Sequence, residues 1–261
     1  MKRYADIHNS GLDYIKSDAQ RTTNRFTQKY LHGVLEKYVI SIYGKDDAHK
    51  IMQEIAPMEK LVFNGHIPSL TNISSLTNTP SLRQTRSSSQ TNIAIAAANE
   101  CMDKIKNHLN AFHDENIFDN KYLLEDLHTI ISKTYEIYVQ KCSSDIEKQS
   151  LAQSLGVLYG SIEYWTNSEN VEYWSRIKME NENSSEYVSN STRAPKKEDK
   201  KDDKKDDKKE DKKEDKKLSK KEYLEVIAAA DTVGAFLGIA IASGPAAIAA
   251  SAAAALYYDV E

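Results

Sequence analysis

Apolar side chains recur along this chain at three- and four-residue spacing, the period of a helix packed on one face. The pattern is clearest over residues 22–43, where Phe26, Tyr30, Leu31, Val34, Leu35, Tyr38, Val39 and Ile42 share a stripe. Thr22 or Thr23 can cap its start, and Gly44 stands where it would end. A second stripe runs from Asp46 to Phe63 through Ile51, Met52, Ile55, Met58, Leu61 and Val62, and Pro57 is expected to bend or break it. Residues 93–112 predict a third helix and residues 121–142 a fourth. Ser144-Asp145-Ile146-Glu147 reads as a capping box, so a fifth helix starts there and carries Leu151, Leu155, Leu158, Tyr159 and Ile162. A short sixth one holds Val171, Trp174 and Ile177. No window sustains a period of two, so the expectation is an all-α body over residues 1–192.

Two stretches interrupt this pattern. Residues 64–92 form a polar insert in which 16 of 29 positions are Ser, Thr or Asn. It repeats loosely every six residues from Ser69, but its hexads contain no Gly and too little apolar surface for a solenoid, so a disordered loop is expected. Residues 196–221 hold 14 Lys and 10 acids, a net charge of +4. Their four-residue repeat (KKED, KKDD) sets like charges at i,i+4, which opposes a stiff helix. Residues 193–221 therefore read as a disordered charged linker.

The tail, residues 222–261, differs again. From Thr232 to Tyr258 there are 27 residues without a charge. Small residues recur every fourth position at Ala230, Gly234, Gly238, Ala242 and Ala246, and Gly234 with Gly238 makes a GxxxG. Such a ridge lets two helices approach closely, the packing that membrane helices use. Ser243-Gly244-Pro245 can split the segment into a hairpin. Its arms, 232–243 and 245–258, would then be about 18 and 21 Å long, short of a ~30 Å hydrocarbon core. Two readings stand side by side: a tail that meets a membrane or another copy, or an internal hairpin packed on the body.

Charge and chemistry narrow the function. The chain has 261 residues, 35 basic against 39 acidic side chains and a net charge of -4, a balance that argues against a nucleic-acid partner. Cys101 and Cys142 are the only cysteines, too few for a disulfide framework or a cysteine metal module. Met1-Lys2-Arg3 leads into Tyr4-Ala5-Asp6 without an apolar run, so no secretory signal is read. The expectation is a cytoplasmic body, with the 14 Lys holding it on the cytosolic side of any membrane the tail meets. His8 and Asp13 are poorly spaced for a shared site on one helix, and His108 and His113 lack the i,i+4 spacing of a metal pair that Asp114 and Glu115 could complete. His128 and Cys142 stand too far apart to work as a pair. With no phosphate-binding loop, nucleophile elbow or zinc motif, neither an enzyme, a cofactor nor a metal is expected.

Three segments carry a resemblance: His8-Asn9-Ser10-Gly11-Leu12-Asp13, then Tyr164-Trp165 with Tyr173-Trp174, then Ala230-Asp231-Thr232-Val233-Gly234-Ala235. Together they resemble a group of uncharacterised bacterial proteins with an HN-x-(G/A)-L-D motif near the N-terminus and a glycine-zipper-like Ala/Gly-rich C-terminus. The resemblance implies that the tail is a recurring module; it implies no reaction and no catalytic residue. The expected function is that of a non-enzymatic helical protein whose tail associates with a membrane or with its own copies, with a bacteriocin-like output as one form. The alternative is a soluble helical adaptor with the tail as its internal hairpin.

Overall fold

The computed structural model describes residues 1–21, 27–63, 90–113, 116–191, 217–237, 243–257 and 259–260. The protein is all-α, with nine helices among the described residues. They are α1 (Lys2–Ala19), α2 (Gln28–Tyr43), α3 (Lys45–Phe63), α4 (Gln90–Ala111), α5 (Lys121–Val139), α6 (Asp145–Trp165), α7 (Ser168–Ser191), α8 (Lys220–Leu237) and α9 (Ser243–Tyr257). A two-residue parallel contact joins Lys217–Leu218 to Asp259–Val260. The insert at 64–89 and the run 192–216 lie outside the described residues, as do Gly238 and Ala242 of the small-residue ridge.

The helix ends follow local chemistry. Thr27, rather than Thr22 or Thr23, caps α2 by accepting from the Tyr30 amide, and Gly44 closes it at φ +80°. Asn120 caps α5 through the Leu123 amide. The expected capping box forms in full at Ser144 and Glu147. A second box opens α8, where Ser219 and Glu222 bond each other's backbone amides, so ordered structure begins before residue 222. α3 runs through Pro57 without ending. Proline removes one amide donor from a helix, and here the turns on either side continue regardless. α7, expected to be short, extends over 24 residues.

Two helices form the axis. α6 is buried at nearly every position from Ser150 to Trp165, with Glu163 the exposed exception. α9 is buried at every described side chain from Pro245 to Ala255. Around α6 stand α1, α4, α5 and α8; around α9 stand α8, α3, α1 and α7. The surrounding helices each contribute a stripe to one continuous core: Leu31 and Leu35 from α2, Ile51 and Ile55 from α3, Ile105 and Leu109 from α4, Leu127 and Ile131 from α5. Each such side chain contributes about 1.5–3 kcal/mol on burial. The tail is therefore a helical hairpin inside the body, not a separate unit beside it.

α1 is the one described helix that the apolar pattern does not announce. Its buried stripe is Ala5, His8, Gly11, Leu12 and Ile15, only two of them large and apolar. Its depth in the fold comes from close approach of backbones rather than from greasy side chains.

Candidate functional site

The hairpin and α1 meet in a polar cluster with no exposure to solvent. Asp231 of α8, His8 of α1, Ser251 of α9 and Trp165 of α6 are each 0% exposed. Trp165 Nε1 donates to Ser251 Oγ at 2.8 Å, and Ser251 Oγ donates to Asp231 Oδ2 at 3.0 Å. His8 Nε2 lies 3.2 Å from the same carboxylate oxygen. That contact is not an aligned hydrogen bond, and neither His8 Nε2 nor Asp231 Oδ1 has a hydrogen-bond partner among the described residues.

Neighbouring amides orient the His8 ring. Asn9 Nδ2 donates to Glu163 Oε2 at 3.2 Å, which turns the amide oxygen of Asn9 toward His8 Nδ1, 2.9 Å away. His8 is thus held by Asn9 with its ring toward the one acid of the hairpin between Glu225 and Asp259. Removing one partner of a buried polar pair leaves the other without compensation in the core.

Around this pair the approach is unusually close. A Cβ on Gly11 would overlap Ile248 of α9. A Cβ on Gly156 would come within 2.6 Å of the Met1 carbonyl, and one on Gly160 within 2.8 Å of the Ala5 Cα. Gly156 and Gly160 of α6 are themselves a GxxxG, and α1 rests on it. Gly234 serves the hairpin's own seam, where a Cβ would lie 2.7 Å from the Ala247 Cα. Ala230 and Ala246 are buried in the core.

The three quoted sequence segments thus converge. His8 reaches Asp231, Asn9 orients His8, Gly11 admits Ile248, and Leu12 is fully buried. The carboxyl of Asp13 is raised chiefly by desolvation, against the opposing pull of Lys16 and of the Tyr164 hydroxyl. Trp174 donates to Tyr164, and Tyr173 donates to the Lys16 carbonyl at 2.9 Å. The four aromatics are all core residues. Sequence reasoning missed the His8–Asp231 pair and the α6 ridge. The Gly156-x-x-x-Gly160 spacing was the available signal for the second, and a lone acid inside an apolar hairpin was the signal for the first.

The remaining candidates do not assemble. His108 lies 3.3 Å from Asp126 of α5, while Asp114 and Glu115 are outside the described residues. Among the described residues no group of three or more His, Cys, Asp or Glu is placed to hold a metal ion. His128 stacks on Tyr159 with centroids 3.6 Å apart, and Cys142 is half-buried. Cys101 is fully buried, and desolvation pushes its thiol up to about 12, far from thiolate chemistry. An open groove of about 470 Å³ lies at the start of α7. There Asp119, at φ 58°, accepts from the Ser168 amide, while Asn167 accepts from Glu169 and Asn170, so side chains outside the helix already occupy its first amides. The chain matches no protein-family model, no curated protein and no solved structure.

Proposed function

We propose that this is a non-enzymatic helical protein that stores an apolar hairpin inside its body and works by presenting that hairpin to a membrane or to its own copies. The observation that carries the reading is α9, buried at every described side chain from Pro245 to Ala255 and without a charge along its length. A helix apolar on all sides suits a protein core and a lipid environment equally. No helix among the described residues is long and apolar enough to cross a membrane. The 15 residues of α9 extend about 22 Å, so the hairpin enters the lipid without spanning it. The Lys-rich run before it favours an anionic surface and keeps the body on the cytosolic side. Membrane-perturbing, bacteriocin-like activity is one output of such a hairpin.

A specific observation favours the second reading, a soluble adaptor. Ser251 and Asp231 are bonded into the body through Trp165 and His8, as a permanent internal hairpin would be. Vesicle flotation of the full chain separates the two. On anionic vesicles the chain should float, and its tryptophan emission should shift as Trp165 loses Ser251. A chain that stays at the bottom of the gradient with unchanged emission leaves the adaptor.

A further inference from the structure

We infer that the hairpin is exchangeable between copies of this chain: the seat that α1, α3 and α6 provide accepts the hairpin of a second copy, whose Asp231 and Ser251 then complete the cluster of His8 and Trp165. This rests on the reading above that the hairpin is presented to the chain's own copies, and it names the surface that receives it.

The hairpin is a unit with defined ends. α8 and α9 pack on each other more extensively than any other two described helices. Gly234 brings their backbones close, and the parallel contact of Lys217–Leu218 with Asp259–Val260 ties the open end of the pair. These contacts let it move as one piece. It is joined to the body through residues 192–216, a stretch without one large apolar side chain. Chain of that length reaches at most roughly 85 Å when fully extended, enough to meet a seat on an adjacent copy. The described helices that hold the hairpin all precede residue 192, so each contact forms equally well with another chain's hairpin.

The seat is keyed in shape and in polar groups. Ile248 fills the space left by Gly11, Trp165 donates to Ser251, and His8 faces Asp231. Outside the seat, α9 would place an apolar surface in water, and the body would leave His8 and Trp165 without their partners. The complement that satisfies both halves is carried by every copy of the chain. Exchange between two copies is reciprocal and fills both seats, so it closes as a two-fold dimer. The connection within one chain gives its own hairpin an effective concentration near the millimolar range, so dilution favours the closed monomer.

The test pairs two full-length variants. Gly11→Val adds three carbons against Ile248, and Ile248→Ala removes three from the same place. Alone, the first overfills its seat and the second leaves a void. In an exchanged heterodimer one seat carries both substitutions, which offset each other, and the other seat carries neither. The two chains, one isotopically heavy, are unfolded in urea, mixed, refolded together at about 0.1 mM and weighed by native mass spectrometry. Heterodimer should exceed either homodimer at least about tenfold.

Wild type gives a measurement that needs no variant. Light and heavy chains are refolded together near about 1 mM and treated with a carbodiimide, which links Lys106 of α4 to Glu225 of α8, 3.5 Å apart. In exchanged dimers this linked pair of peptides has one light and one heavy half. Such mixed pairs carry the proposal even where a variant fails to fold. Linked pairs of one isotope only overturn it, and a heterodimer seen without mixed pairs is a dimer through another surface. That result leaves the membrane reading standing if the chain still floats on anionic vesicles, and removes both if it does not.

Discussion

At the scale of single residues, polar groups in this core are used to join elements, and each has a consequence that can be measured. His128, stacked on Tyr159, has its basicity lowered from the ordinary 6.5 chiefly by burial. Below that value the unfolded chain takes up a proton before the folded one does. Stability therefore drops as pH falls from 6.5 toward the lowered folded value, and rises again with pH across the same window. His128→Phe keeps an aromatic ring on Tyr159 and removes the proton. Its urea midpoint should change less than that of wild type between about pH 7.5 and about pH 5. An identical change in both proteins would mean that His128 does not titrate differently in the two states. For His8 the local sequence offers only a poor spacing to Asp13 for a shared site. Its actual partner lies at the other end of the chain, and no local spacing could reveal that.

At the scale of elements, glycine separates close packing from open surface. A Cβ on Gly234 would meet the backbone of Ala246 and Ala247, which cannot rotate aside. Gly234→Ala should cost roughly 1–3 kcal/mol. Gly33, in α2, has nothing within 4 Å of an added Cβ. Gly33→Ala should stabilise by about 0.4–1 kcal/mol, because it restricts the unfolded chain without a clash. Opposite shifts in melting temperature are expected, and two shifts of the same sign would contradict the packing at Gly234. The same distinction explains what could be read in the sequence. α2 to α6 announce themselves because Leu, Ile and Val mark their buried stripes. α1 stays silent because its stripe holds Ala, His and Gly, which carry little hydrophobic signal. The hairpin's two possible surroundings could not be told apart, because α9 has no polar face to say which side meets water. Most of the candidate cluster was legible as motifs, yet its pairing was not, since contact between α1 and α8 is decided by packing across the whole body.

At the scale of the molecule, the hairpin is structural material for everything around it. Ile227, Ala228, Ala230, Ala246, Ile248, Ala250 and Ala254 belong to the same core cluster as Leu12, Leu35 and Trp165. A chain stopped after Ser219 loses both α8 and α9. It should retain partial helical circular dichroism but lose cooperative urea unfolding and the blue tryptophan emission of the buried Trp165 and Trp174. Sharp two-state unfolding of that shortened chain would show the hairpin to be an appendage.

The meeting of α1 with α8 and α9 also sets a timetable for synthesis. On the ribosome α1 emerges before the hairpin, and its seat on Ile248 and its acid partner Asp231 exist only after α8 and α9 have left the exit tunnel. Until then His8 lacks Asp231, and the amphipathic helices have only α6 of the two axis helices to close around. Closure of the core must wait on α8 and α9, since contacts so distant along the chain cannot form earlier. A message truncated before α8 would yield a polypeptide that cannot close its core, and proteases would clear it. Closure of the core is thus tied to synthesis of the hairpin.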